Sequence, residues 1–299
     1  MTDRRAIHIL REGLLSLSDS KRSRIGGSPL PETLEKFQCR RMLVCYFHVY
    51  LIFCSLAISD WKSAKDHLSK LDLTINDLER SLRGTLENFR TYLSALYLQS
   101  IGDLENALRE FKDARLHLPD ESNPVTEPEQ QIQYDLSLLS SMNVISILQN
   151  DHYRDISQNN TMVANLEPLC LKHPNKDIQT AFKLLKALVL TDPPAGITRT
   201  KNYLSSALDT AKATANKQFI CIALSTLYSK FFVGHAGDQS EKAARAAVQQ
   251  AKSARNPLWM SVASGMLASN LELQGKSEEA QATKMEASRL SALAFPKPS

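Results

Sequence analysis

The sequence predicts an all-α protein in which helical hairpins stack into a superhelical solenoid. Three observations carry that expectation. Glycine is scarce, at 10 of 299 residues, while Leu, Ala and Ser are plentiful. Ala and straight-chain residues lose little freedom in a helix, and a turn-rich β fold would need more glycine. No alternation of apolar and polar residues runs long enough for a strand, whereas helical spacing of apolar residues recurs along the chain. Finally, turn signals return at Ser59-Asp60, Gly102-Asp103, Asn150-Asp151, Ala195-Gly196, Gly237-Asp238 and Gly275-Lys276. Their spacing drifts over roughly 40–50 residues, as in arrays of helical hairpins.

The chain opens on MTDRRAIHILREGLLSL, an amphipathic helix with charges throughout rather than a cleavable leader. The stretch 18–32, SDSKRSRIGGSPLPE, has turn and charged residues without periodicity and is expected to be an irregular loop. Met42 to Ile58, MLVCYFHVYLIFCSLAI, is almost continuously apolar. A membrane span needs about 20 such residues, and His48 in the middle argues against one. A helix that is apolar all round also suits the interior of a large helical protein. The repeat register takes the second course: this run is the first helix of a hairpin, and Ala64 and Leu68 follow in the second helix after Ser59-Asp60-Trp61. No membrane role is expected.

The next hairpin carries the sharpest pattern. Gly102-Asp103 forms a turn, and Ala107, Phe111, Ala114 and Pro119 follow at fixed offsets. Residues from about 88 to 119 resemble a tetratricopeptide repeat. Small Ala107 lets two helices approach, Phe111 fills the groove one turn on, Ala114 admits the next hairpin, and Pro119 stops the helix. One repeat cannot bury its apolar face alone, so neighbours must stack on it. A second irregular stretch, PDESNPVTEPEQ over 119–130, is acidic and proline-rich. The register is weaker further on, with Ala243 and Ala247 after Gly237, and Ala280 and Ala287 after Gly275. Around Asp151 and Gly196 it is degenerate. Repeats on both sides of each loop predict a single array over 1–299.

Residue chemistry points away from catalysis. Net charge is +4, and the basic clusters Arg4-Arg5, Lys21-Arg22-Arg24 and Arg40-Arg41 are small. A dedicated nucleic-acid binder shows a denser stripe, so direct DNA binding is not expected. Five cysteines at irregular spacing, with no CxxC, read as reduced buried thiols of an intracellular protein. Asn159-Asn160-Thr161 fits a glycosylation acceptor, which has no meaning without secretion. None of the seven histidines stands four residues from another, and no phosphate-cradling, dinucleotide or HExxH motif is present. The sequence therefore assigns no catalytic, cofactor-binding or metal-binding residue, no cofactor and no small-molecule substrate.

What remains is surface. In the tetratricopeptide register the first helices of successive hairpins line a concave groove. Groove positions would be Tyr46, Val49 and Phe53 in one repeat, and Phe89, Tyr92, Leu96 and Gln99 in the next. Aromatic residues there suit an extended peptide or a partner helix, and the same residues also suit packing between hairpins.

The last third of the chain carries a more particular likeness. Ser206 to Ser291 runs from SALDTAKATANKQF through a Leu/Ser-rich helix, the turn GHAGDQ, an Ala/Val/Gln helix and PLW, to a final hairpin. In order and spacing it resembles the C-terminal repeats of the cohesin-loading factor family, the tetratricopeptide-like subunit of the cohesin loader. The front half, including SPLPETLEKFQCRRMLVCYFHVYLIFCSLAISDWKSAKDHLSKL, is similar to the family's central hairpins. Family members are usually longer, with further N-terminal repeats, so the likeness covers central and C-terminal repeats. The resemblance implies a non-catalytic scaffold. It would clasp the extended N-terminal segment of the large loader subunit and promote cohesin loading onto chromatin in the nucleus, for sister-chromatid cohesion. Cohesin and chromatin would be indirect partners. The alternative is another tetratricopeptide-type adaptor that binds a peptide or helix in a multi-subunit assembly. A groove lined by Lys and Arg would favour that alternative.

Overall fold

The computed structural model describes residues 8–14, 34–114, 128–150, 152–153, 156–190 and 195–295. Among these residues the regular structure is entirely helical, as the composition predicts. Helix α1 covers 8–14. It is followed by α2 (Leu34–Ala57), α3 (Trp61–Asn76), α4 (Arg80–Ile101), α5 (Leu104–Ala114), α6 (Pro128–Leu148) and α7 (Ile156–Leu171). Then come α8 (Lys176–Val189), α9 (Ala195–Ala213), α10 (Lys217–Phe231), α11 (Asp238–Ala254), α12 (Pro257–Leu273) and α13 (Ser277–Ala294). The predicted loop at 18–32 and Pro119 lie outside the described residues. Of the predicted loop at 119–130, the last three residues instead open α6, where Pro128 occupies the first helical position and loses no hydrogen bond.

The chain divides into two compact units, Met1–Val144 and Ile145–Ser299, with the boundary inside α6. In the first, α2 packs on α3, α4 on α5, and α2 also on α4. In the second, α8 packs on α9, α10 on α11 and α12 on α13, and each pair touches the next. These are stacked helical hairpins, the tetratricopeptide-like architecture.

Local chemistry makes the turns. Gly102 ends α4 with φ +87°, in the left-handed region where only glycine is free of a Cβ penalty. The amide of Asp103 then donates to the carbonyl of Leu98 (2.9 Å), which closes the helix end. Nothing lies within 4 Å of a Cβ built on Gly102. Gly102→Ala is therefore expected to cost only the backbone term, about 1 kcal/mol. A denaturant midpoint shift worth several kcal/mol would mean that a packing contact had been overlooked. Gly275 repeats the device at φ +74°, and Lys276 N–H donates to Leu271 O (3.0 Å). Ser59, with φ +60°, uses it without glycine, and Asp60 caps α3 by accepting from Ser63 N–H (3.0 Å).

One expected turn is misplaced. Ala195-Gly196 lies in the first turn of α9, not between helices. Helix α8 instead ends at Val189, where Leu190 turns to extended backbone at φ −66° and ψ 112°.

The long apolar helix α2 meets the length and composition of a membrane span. Its residues Cys45, Val49, Leu51 and Ile52 are nevertheless 0–3% exposed. With Leu71, Ile75 and Leu78 of and after α3, and Leu86 and Leu93 of α4, three of them form the core of the first unit. Burial of that many aliphatic side chains, at about 1.5–3 kcal/mol each, is what holds these helices together.

In the second unit the helix contacts rest on small residues. Ala207 and Ala223 pack with Leu184 and Leu204, and Ala247, Ala251 and Ala263 with Cys221. The deeply buried alanine near the start of α11 is Ala244, with Ala243 only half-buried, so the repeat register there is shifted by one residue. Ala280 and Ala287 of α13 are buried as the pattern predicts.

Candidate functional site

Tyr46, Val49 and Phe53 fall three and four residues apart, on one face of α2. Phe89, Tyr92, Leu96 and Gln99 form the matching stripe on α4. The two helices touch, so the stripes adjoin. Tyr46, Phe53, Phe89 and Leu96 are half-buried and rest on the same buried cluster. Gln99 is half-buried as well. Val49 and Tyr92, at 3% and 5% exposure, belong to the interior. Each stripe thus has an inward centre and half-buried flanking side chains that remain partly accessible.

Tyr92 explains why α4 is held so firmly. Its ring meets Phe111 of α5 edge-on, with centroids 5.9 Å apart and planes at 61°. Burial raises the Tyr92 pKa well above the ordinary tyrosine value. The Tyr46 hydroxyl is also raised, by burial first and then by the carboxylate of Glu129. It therefore stays neutral near pH 7, a hydroxyl donor at the edge of an apolar strip.

The residues that the repeat pattern singles out differ in burial. Ala107 and Phe111 are fully buried, and Ala114, the last residue of α5, is half-buried.

The basic residues near this surface are occupied. Arg41 pairs with Asp77 and lies over the ring of Phe37, 4.9 Å from its centroid. Arg90 pairs with Asp72 (2.6 Å). Arg83 donates to the carbonyls of Leu78 and Asn76, closing the end of α3. The clusters at Arg4-Arg5 and Lys21-Arg24 lie outside the described residues.

Cys45, Cys170 and Cys221 are buried free thiols, and burial pushes them up to about 11, 12 and 11. They are poor nucleophiles near neutral pH. Cys39 is exposed on α2 and Cys54 is half-buried, contrary to the expectation that all five are buried. Asn159 is 1% exposed inside α7 and donates to Leu148 O (3.1 Å), so that acceptor sequence is a structural residue.

Sequence spacing missed one pairing. His48 of α2 and His67 of α3 are both 7% exposed, and their Nδ1 atoms lie 3.1 Å apart. One neutral ring donates to the other. Burial lowers both pKa values, and His48, also facing His67 and Lys70, reaches about 4. Lys70 and Arg11 oppose protonation of His67, while Asp66 and Asp60 favour it too weakly to prevail. Below pH 6.5 the unfolded chain therefore binds more protons than the folded one. Stability is complete above the unfolded value near 6.5 and declines as the pH falls toward 4. After allowance for solvent screening the loss is about 1–2 kcal/mol. His48→Gln with His67→Gln should flatten the decline in urea melts between pH 7 and 4.5. An unchanged slope would remove these rings as its cause. No cluster of at least three His, Cys, Asp or Glu side chains suited to a metal occurs among the described residues.

Stacked hairpins with an apolar stripe across their first helices define a tetratricopeptide-like repeat protein, a class whose curved surfaces hold other chains. A family model described as cohesin loading factor matches residues 1–278, and the chain belongs to that family. That membership carries a role in cohesin loading. No curated protein and no solved structure gives a significant match to the chain.

Proposed function

We propose that this chain is a non-catalytic scaffold subunit of the cohesin loader, which holds the extended N-terminal segment of the large loader subunit. The observation that supports this reading is the row Tyr46, Phe53, Phe89 and Leu96, half-buried on one core across α2 and α4. Such side chains stay partly accessible while their inner side is fixed by packing. A partner segment then finds preorganised apolar anchors and orders along them, burying area that offsets its lost entropy. The nucleotide chemistry of loading belongs to cohesin in this reading. The protein acts at chromatin in the nucleus, in support of sister-chromatid cohesion.

Co-expression with the N-terminal segment of the large loader subunit, followed by size-exclusion chromatography, tests it. The expected result is a one-to-one complex that withstands physiological salt. A folded chain that elutes alone in the presence of the segment would reject the clasp.

A further inference from the structure

A second surface lies in the Ile145–Ser299 unit. Helices α7, α8 and α9 enclose an open cavity of about 540 Å³, within the range of ligand and side-chain pockets. Leu171 and Leu190 supply apolar wall. Lys183 and Lys186 project from one face of α8, and Arg199, Asn202, Tyr203 and Ser206 from one face of α9. Glu167 of α7 completes the lining.

The charges are unevenly matched. Lys186 Nζ donates to Glu167 Oε2 (2.9 Å), and Tyr203 Oη donates to Glu167 Oε1 (2.7 Å). Burial works against the charge of Glu167, but these two donors outweigh it and lower its pKa. Lys183 and Arg199 make no hydrogen bond or ion pair with any described residue. Arg41, Lys70, Arg90, Arg245, Lys276 and Arg289 each meet an acid; what sets Lys183 and Arg199 apart from other unpaired cations is that both line one pocket. The pocket thus offers two cations that no described residue pairs, beside an apolar wall, with the amide of Asn202 and the hydroxyl of Ser206 as further donors.

We propose that this pocket binds an acidic side chain of a partner peptide and seats a neighbouring apolar residue against Leu171 and Leu190. A single carboxylate between Lys183 and Arg199 gains two charge-assisted hydrogen bonds. A dianion such as a phosphate would also face the fixed carboxylate of Glu167, which disfavours it. A nucleic-acid backbone needs a continuing track of cations rather than two at one pocket. The site lies on α7 to α9, away in sequence from the α2 and α4 stripe, so its failure would leave the proposed clasp untouched.

Fluorescence anisotropy on the full chain at physiological salt tests this. The probe is a fluorescein-labelled peptide of alternating Leu and Glu, and a Leu–Gln peptide serves as its neutral counterpart. The Glu peptide should bind at least about tenfold more tightly than the Gln peptide. K183Q with R199Q should remove about that factor and leave the melting curve unchanged, because neither residue pairs with a described residue. E167Q should tighten binding several-fold by releasing Lys186. E278Q, the same charge change on α13, should not alter it. The proposal is overturned by equal binding of the two peptides, by an unaffected double variant, or by equal tightening from E278Q. Displacement of the peptide by a single-stranded oligonucleotide of higher affinity would overturn it in favour of a nucleic-acid site.

Discussion

Replacing Phe111 with alanine is expected to destabilise the Met1–Val144 unit by about 3–5 kcal/mol. Phe111 is fully buried, and its ring is the one that Tyr92 meets edge-on. The substitution removes transfer free energy, leaves a cavity between α4 and α5, and deletes an aromatic contact worth about 0.5–1.5 kcal/mol. Phe111→Leu keeps most of the volume and should cost less than about half as much. Denaturant unfolding followed by a probe within this unit measures both. A loss below about 1 kcal/mol for the alanine variant would mean that the ring is exposed and the repeat register is wrong.

The second large effect concerns the partner. Tyr46→Arg combined with Gln99→Arg places a cation at each end of the apolar stripe. Both positions are half-buried, and a long arginine can lay its stem along the surface while its head reaches water. The fold should survive, with helical circular dichroism unchanged. Binding of the large subunit's N-terminal segment should weaken about a hundredfold, equivalent to about 2.8 kcal/mol, because an apolar segment would have to bury two unpaired charges. Calorimetric titration reads the change. Affinity within a factor of two of the unaltered chain would move the segment off this stripe.

The sequence was informative where a single residue meets a backbone or volume constraint. Gly102 marks a left-handed helix end that other residues adopt at a cost, and Ala107 and Phe111 mark a close approach and the space beside it. Two hairpin junctions carry no such mark. Ala215 and Arg255 take φ of +55° and +54° without glycine. The signal there was the asparagine that follows: Asn216 accepts from Phe219 N–H, and Asn256 from Leu258 and Trp259 N–H. Helix caps of this kind are readable from sequence.

Other features were not legible, because they depend on how helices face each other. His48 and His67 are brought together only by the crossing of α2 and α3. The pocket cations Lys183 and Arg199 come from different helices, with Glu167 from a third. Along the stripes, spacing identified the face but not its depth. Val49 and Tyr92 turn inward because a helix packed on two neighbours buries more than one line of residues.

The most direct test of the clasp uses a photo-crosslinkable phenylalanine analogue. It is placed at position 53, where the aromatic shape of Phe53 is kept, and separately at Leu273, which is 50% exposed on α12. Each protein is mixed with the N-terminal segment of the large loader subunit and irradiated. Adducts are expected from position 53 and none from position 273. Adducts from 273 alone, or equally from both, would contradict it.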